Sequence, residues 1–387
     1  MTHGTLTGRC FIDQNSVCKP HFGLSQNNRI RNIDPDAASI SWGDDLSAKK
    51  AFFVTSDIGV GKGGIQAWGH YIQLFLDFHG IRFSTFKMNS ARLKQIMSLI
   101  GAWFSADIFI LLDWRKTFFV LPAFFMRMIG LRHARFTVII HGDEIIKPGK
   151  FGFFLKWLVR RRAAEFICNS KAVSCILEES RGRTADHICY PFIDIHSLIA
   201  KAEKRKKSNQ FRIVSITRLA KRKNIISVVR SFPKLIADGY NVDYTIIGDG
   251  PDKDMIAREI SALRIGKRVH LLGRVDEDKK CAILSQADLF ILPSVFDQDS
   301  GSIEGFGIVF IEANAFGVPV VSGNTGGMVE AVRNGITGFH CNGTEADIYR
   351  KITKCMHTQF DREYLRSYAV KFDYKSQGKF FRYIFGE

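Results

Sequence analysis

Short apolar runs alternate with amphipathic stretches along most of the chain. Ala51–Asp57 is apolar and ends on a glycine-rich turn, Gly59-Val60-Gly61-Lys62-Gly63-Gly64, after which a helical period runs to about His79. Ile81–Phe86, Asp107–Leu112, Arg135–His141 and Glu165–Cys168 read as further buried strands with amphipathic segments between them. The rhythm stops at Tyr190-Pro191 and at the polar, basic stretch Lys201–Gln210. It then resumes with Arg212–Ile216, Asp243–Ile247, Arg268–Leu271, Asp288–Leu292 and Pro319–Val321. Strands alternating with helices argue for parallel sheets, so the expected fold is α/β with two doubly wound domains. The boundaries follow the pattern: an irregular extension over 1–50, one domain over 51–200, and a second over 211–387 whose last helix is free to return to the first. In open parallel sheets ligands sit at the carboxyl ends of the strands, which makes the cleft between two such domains the place to look for chemistry.

Composition narrows the setting. The chain has 387 residues, 46% of them hydrophobic, enough for two ordinary cores. Its eight cysteines include no Cys-x-x-Cys pair, which argues against a disulfide framework or a zinc site and for reduced thiols. The first fifty residues lack the apolar core of a secretory signal. Phe118–Leu131 is the most apolar run, but it is short of the roughly 18 residues a span needs and contains Pro122 and Arg127. The expected location is the cytoplasm, with a peripheral place on the inner face of the cytoplasmic membrane. The formal net charge of +17 points to anionic partners. It is uneven: residues 201–234 hold twelve Lys or Arg against one acid, whereas 301–350 are net acidic.

The most informative element is Glu304-Gly-Phe-Gly-Ile-Val-Phe-Ile-Glu312, two carboxylates with seven residues between them. The pattern puts Glu304 in a loop after a strand and Glu312 about two turns into the following helix. Gly305 and Gly307 permit close backbone approach at that helix N-terminus, where free N–H groups and the helix dipole favour a phosphate. Arg218 leaves the strand Arg212–Ile216 and Lys223 opens the next helix, so both can point into the cleft. Lys221 and Arg222 beside them are expected to be solvated. The loop Gly59–Gly64 fits neither the P-loop nor the dinucleotide-binding spacing. Four Asp-x-Asp triplets, at 34–36, 252–254, 276–278 and 297–299, read as loop and helix-cap chemistry rather than as metal ligands.

In order and spacing, four blocks of the second half match one family: Thr217-Arg218-Leu219 with Lys223-Asn224, Gly248-Asp249-Gly250-Pro251, Leu272-Gly273-Arg274-Val275, and the Glu304–Glu312 element with Pro319-Val320-Val321 and Gly326-Gly327. Residues from about 51 to 345 thus resemble the family-4 retaining glycosyltransferases, whose GT-B fold is two Rossmann-like domains facing across a cleft. The resemblance implies that Arg218 and Lys223 hold a donor diphosphate and Glu312 binds the ribose. It implies that Glu304 with the Phe306–Gly307–Ile308 backbone orients the donor sugar, while Gly273, Arg274 and Val275 flank the base. In the first half, Gly63-Gly64-Ile65-Gln66 is similar to the family's glycine loop, which closes on the donor phosphate. His141-Gly142-Asp143-Glu144 is similar to the motif carrying its active-site histidine. Thr217 departs from the pattern, where the family has glycine.

The donor implied is a nucleotide diphosphate sugar, with GDP-mannose favoured by the Glu-Gly-Phe-Gly-Ile-Val run; no cofactor and no metal are expected. The acceptor implied is a glycan or lipid-linked saccharide. Phe151–Arg162 combines Phe153, Phe154, Trp157 and Leu158 with Lys156, Arg160, Arg161 and Arg162, a pattern suited to a helix lying on an anionic membrane surface or packing on its own sheet. A family-4 enzyme acting on a small metabolite is the alternative. A nucleic-acid-binding protein would also carry the charge, but no recognition-helix, zinc or RNA-binding-sheet motif accompanies it, and nucleic acid is not an expected partner.

Overall fold

A computed structural model describes residues 49–59, 63–90, 92–131, 133–146, 153, 155, 157, 164–299 and 301–385. The extension over 1–48 lies outside the described residues, as do Gly61, Lys62 and the basic positions of Phe151–Arg162.

Among the described residues twelve strands form two six-stranded sheets, and their pairings are all parallel. The first contains β1 (Lys50–Thr55), β2 (Arg82–Lys87), β3 (Ile108–Leu111), β4 (Arg135–Ile140), β5 (Glu165–Cys168) and β6 (His187–Ile188), in the order β2-β1-β3-β4-β5-β6. The second contains β7 (Phe211–Ile216), β8 (Val242–Ile247), β9 (Val269–Gly273), β10 (Leu289–Leu292), β11 (Val320–Gly323) and β12 (Gly338–Cys341), in the order β12-β11-β10-β7-β8-β9. The expected pair of doubly wound domains is therefore present. Two strands were not anticipated, β6 and β12. Both lie at sheet edges: β6 has two residues, too few for a pattern, and β12 reads Gly-Phe-His-Cys, whose glycine and histidine break the apolar run.

The strands read as near-continuous apolar runs because helices cover both faces of each sheet. In β1, Ala51 and Phe53 belong to one core while Phe52 and Val54 belong to the other, as a two-residue side-chain period requires. The first of these cores continues through Phe192, Ile193, Ile195 and Leu198 into the interior of the second sheet, so the halves share an apolar seam.

The basic stretch after Tyr190 is fastened down. Arg205 binds the Asp288 carboxylate and the Ala287 carbonyl at the entrance to β10, and Lys206 N donates to Gln286 at 2.9 Å. The end of the chain returns to the first half. Ile193 and Asp373 form a parallel bridge, and Asp373 accepts a 2.9 Å bond from Ile195 N. In the terminal helix Gly378–Phe385, Phe380 meets Phe75 and Phe192, and Tyr383 stacks on His187 with ring centres 4.2 Å apart.

Candidate donor site between the two sheets

Strand order reverses at β10–β7 in the second sheet and at β1–β3 in the first, and such points leave a crevice beyond the carboxyl ends of the strands. The two clusters singled out in the sequence emerge at the β10–β7 crevice. Arg218 and Lys223 follow β7, and Glu304 follows β10. Lys223 is not yet helical. It closes a 3-10 turn, Lys221–Lys223, ahead of the helix Ile225–Ala237, with Asn224 between them at φ 54°. The left-handed turn at Asn224 is held by a 2.8 Å bond from its side-chain amide to the Gly343 carbonyl.

Glu304 is the hub. Its carboxylate accepts from the Lys223 ammonium and, at 2.8 Å, from the Arg222 guanidinium. Burial alone would raise the Glu304 carboxyl, but Lys223 and Arg222 outweigh it and hold the group at about 2. Burial also pulls Lys223 below the ordinary lysine range, against the attraction of Glu304. Arg222 was expected to be solvated and is not: its side chain is 18% exposed and spent on Glu304. The tight 3-10 turn aims both Arg222 and Lys223 inward, an arrangement that residue spacing alone does not reveal. Lys221 is exposed as expected and pairs with Asp299. Arg218 is exposed, and its side chain forms no ion pair with any described residue.

The loop from Glu304 to the helix Ile308–Ala315 passes backbone against backbone with the first half. A Cβ on Gly305 would lie 2.3 Å from the His141 carbonyl oxygen, so only glycine fits there. Gly307, at φ 90°, caps the helix in a conformation other residues avoid. Phe306 is buried and stacked on Tyr190, with ring centres 5.2 Å apart. Glu312 is the fifth residue of its helix, just over one turn in rather than two. It is buried and accepts a 3.1 Å bond from Lys280, which also binds Glu277 at 2.7 Å. Burial would lower the Lys280 ammonium, yet Glu312 and Glu277 together hold it above the usual lysine range. Gly273 ends β9 at φ 71°, and Arg274 and Val275 follow on the same edge of the sheet. Of the Asp-x-Asp triplets, 34–36 lies outside the described residues, Asp276 caps a helix through Lys279 N at 2.7 Å, and Asp299 serves Lys221. Among the described residues no group of three or more His, Cys, Asp or Glu could hold a metal ion.

From the first half, Gly63 caps the helix Gly64–Phe78 at φ 138°, and a Cβ on Gly64 would meet open space. His141 lies at the end of β4 with its ring turned inward. Its Nε2 donates to the Leu112 carbonyl at 2.9 Å and its ring meets Trp68 edge-on. Burial pushes this imidazole down to about 4. The neighbouring Glu144 carboxyl accepts from His141 N, and burial together with Asp113 pushes it up to about 8.

Two further carboxylates fasten the halves together: Asp143, which stands in the His141–Glu144 block with no role of its own read from it, and Glu330, which no sequence block contains. Asp143 accepts 2.9 Å and 2.8 Å bonds from Ile303 N and Ser302 Oγ in the loop that leads to Glu304. Glu330 accepts from Lys171 N and Ala172 N, each at 2.9 Å, at the start of the first-half helix Lys171–Arg181, and from the Tyr190 hydroxyl at 2.9 Å. A carboxylate at that helix end is favoured by its free N–H groups and dipole.

Residues 198–372 match the family described as Glycosyl transferases group 1. A GDP-mannose-dependent alpha-(1-6)-phosphatidylinositol monomannoside mannosyltransferase of Mycolicibacterium smegmatis is 33% identical over 135 residues, 35% of this chain and 35% of that protein. A glycogen synthase of Mycobacterium tuberculosis is 31% identical over 140 residues, 36% of this chain and 32% of that protein. The chain thus spans about a third of the length of these curated relatives. Among solved structures, Anabaena Alr3699/HepE in complex with UDP and glucose superposes with a TM-score of 0.64 at 19% identity, covering 86% of this chain and 98% of that one. A sucrose-phosphate synthase from Thermosynechococcus elongatus gives 0.65 at 13% identity, covering 87% and 99%. At such identities the likeness establishes the fold, and the family match locates the motif blocks within it. The chain accordingly has a two-domain GT-B fold, and its residues 198–372 are similar to the glycosyl transferases group 1 family.

Proposed function

We propose that this protein transfers a hexose from a nucleotide diphosphate sugar to an acceptor hydroxyl, with retention at the anomeric carbon. The observation that carries the reading is the Arg218, Arg222, Lys223 and Glu304 cluster in the β10–β7 crevice. Arg218 is a cation with no internal ion pair among the described residues, and Lys223 is half-buried and, among the described residues, ion-paired only with Glu304, a carboxylate a ligand can replace. An arriving diphosphate competes with Glu304 for Lys223 and takes up Arg218. Glu304 is then free to accept hydrogen bonds from sugar hydroxyls, with Arg222 still holding its other side. As the bond from the anomeric carbon to the diphosphate breaks, the negative charge on the leaving oxygen grows next to donors already in place. That preorganisation is where catalysis comes from, with no metal ion required. Glu312, steadied by Lys280, receives the ribose hydroxyls, and Gly273–Val275 flank the base.

The favoured donor is GDP-mannose, in keeping with the GDP-mannose-dependent mannosyltransferases among the relatives. The favoured acceptor is a lipid-linked saccharide of bacterial lipopolysaccharide, O-antigen or exopolysaccharide assembly, met at the inner face of the cytoplasmic membrane. A relative named N-acetyl-alpha-D-glucosaminyl L-malate synthase, 32% identical over 129 residues, keeps a small-molecule acceptor as the second reading. The test is a panel of nucleotide sugars with release of nucleoside diphosphate as the signal, run with and without a chelator. Release from one sugar nucleotide, indifferent to the chelator, is expected. No release from any donor overturns the reading, and loss under chelation with recovery on manganese overturns its metal independence.

A further inference from the structure

The first half carries an apolar face that nothing in the described structure covers. The helix Leu93–Ser105 buries Leu99 and Ala102 against its sheet. Leu93, Ile96, Met97, Ile100 and Phe104 recur at spacings of three and four, so they form one stripe on the opposite side. That stripe should be polar on a surface helix, yet Leu93 is 75% exposed, Met97 59% and Phe104 63%. The neighbouring helix Leu121–Met128 and the turn after it add Phe125, Met128, Ile129 and Leu131, all more than half exposed. The two segments are tied together, since Trp103 Nε1 donates to the Phe119 carbonyl at 2.9 Å. Phe153 stands exposed one turn before Trp157, whose ring packs on Phe124 at 5.6 Å beneath the same face. A contiguous exposed apolar surface of this kind marks an interaction site.

The charge around it selects the partner. Residues 88–106 and 114–135 contain no Asp or Glu but seven Lys or Arg: Arg92, Lys94, Arg115, Lys116, Arg127, Arg132 and Arg135. Arg92, Lys94 and Arg127 are exposed at the rim of the apolar face. Of the others, Arg115 pairs with Asp113, Arg135 pairs with Glu165 and Lys116 is buried, so the rim charge is that of Arg92, Lys94 and Arg127. Apolar side chains beside such exposed cations suit an anionic lipid surface, into whose headgroup boundary such a face inserts without spanning. Among the described residues no helix is long and apolar enough to cross a membrane. Both helices begin beyond the carboxyl ends of their strands, β2 and β3, the edge of the sheet that borders the cleft.

We propose that the exposed face of Leu93–Ser105 and Leu121–Leu131, rather than the Phe151–Arg162 segment alone, seats this protein on an anionic membrane. It thereby brings the cleft to a lipid-borne acceptor. The lipid-borne acceptor rests on the transferase reading; the seating does not. The experiment is co-sedimentation of the full chain with phosphatidylcholine vesicles containing or lacking phosphatidylglycerol, with no donor or acceptor present. Wild type binds the anionic vesicles, and high salt weakens the binding. Replacing the three rim cations, Arg92, Lys94 and Arg127, by Ser lowers partitioning on the order of a hundredfold. Leu93→Ser with Met97→Ser and Phe104→Ser abolishes binding while melting temperature and nucleoside diphosphate affinity stay as in wild type. Anionic-vesicle binding that survives both sets overturns the proposal. So does a wild type that ignores vesicles but self-associates through this face. If donor turnover fails in every assay while vesicle binding behaves as described, the transferase reading falls and the membrane face stands.

Discussion

The two halves use charge in opposite ways. At the β10–β7 crevice the second half buries ionised groups and keeps them ionised. Lys223 and Arg222 hold Glu304 down at about 2, and Glu312 and Glu277 hold Lys280 charged. At the matching edge of the first half, the buried groups are driven towards neutrality, with His141 at about 4 and Glu144 at about 8. The same burial acts in both places. The difference is whether an opposite charge lies within hydrogen-bond reach, because desolvation disfavours any charged form and only a close partner reverses it. A site for a diphosphate has to stay charged before its ligand arrives. An edge that receives a sugar or an uncharged acceptor hydroxyl has no such requirement.

Removing Lys223 should have the largest effect. Lys223→Ala is expected to cut transfer about a thousandfold, the scale of losing one preorganised donor to a developing anion. Steady-state transfer measures this, and turnover within tenfold of wild type would remove the charged half of the comparison. Arg218→Ala should lose roughly 10- to 150-fold, the range for one charge-assisted bond. Its melting temperature should not change, since it is exposed and makes no ion pair among the described residues. A clear drop in melting temperature would mean that Arg218 is structural.

Glu304→Gln tests the exchange of partners. Taking the acid from two inward-facing cations should destabilise the free protein by about 3 kcal/mol. Added nucleoside diphosphate should restore more stability to the variant than it adds to wild type, as read by thermal melting. Equal shifts in the two proteins would show that the ligand does not take the place of Glu304.

For the neutral half, His141→Ala should lower transfer while nucleoside diphosphate affinity, measured by calorimetry, stays nearly unchanged. In the proposed function the nucleotide belongs to the other half, whereas the His141 backbone abuts Gly305 of the loop proposed to hold the sugar. A large loss of nucleotide affinity would place His141 in support of the donor pocket itself.

The smallest effect is one of pH. The Glu144 carboxyl, raised in the fold, stabilises fully below its unfolded value near 4.5 and loses that contribution as pH rises through about 8. Glu144→Gln stays neutral throughout, so it should match wild type at about pH 5 and melt a few degrees higher at about pH 9. Parallel curves across that range would mean Glu144 is already ionised.

The chain's own pattern decided the architecture and named most of the crevice. Continuous apolar runs of four to six residues between amphipathic segments leave few choices besides parallel sheets covered on both faces, and glycines beside Glu304 mark where backbone must approach closely. Tertiary structure decided which charges are spent and on what. Lys221, Arg222 and Lys223 are three consecutive cations in the sequence, yet one 3-10 turn sends Lys221 to Asp299 at the surface and the other two inward to Glu304. Lys280 lies 32 positions from Glu312 and meets it only because two helices converge. Asp143 and Glu330 acquire their roles across the cleft, over separations of about 160 residues. The apolar stripe at Leu93–Phe104 is the clearest case. Its spacing predicts an amphipathic helix either way, and only packing, by burying Leu99 and Ala102 instead, turned the larger apolar side outward. Periodicity is a property of local sequence, but the face that meets water depends on what the rest of the chain brings to it.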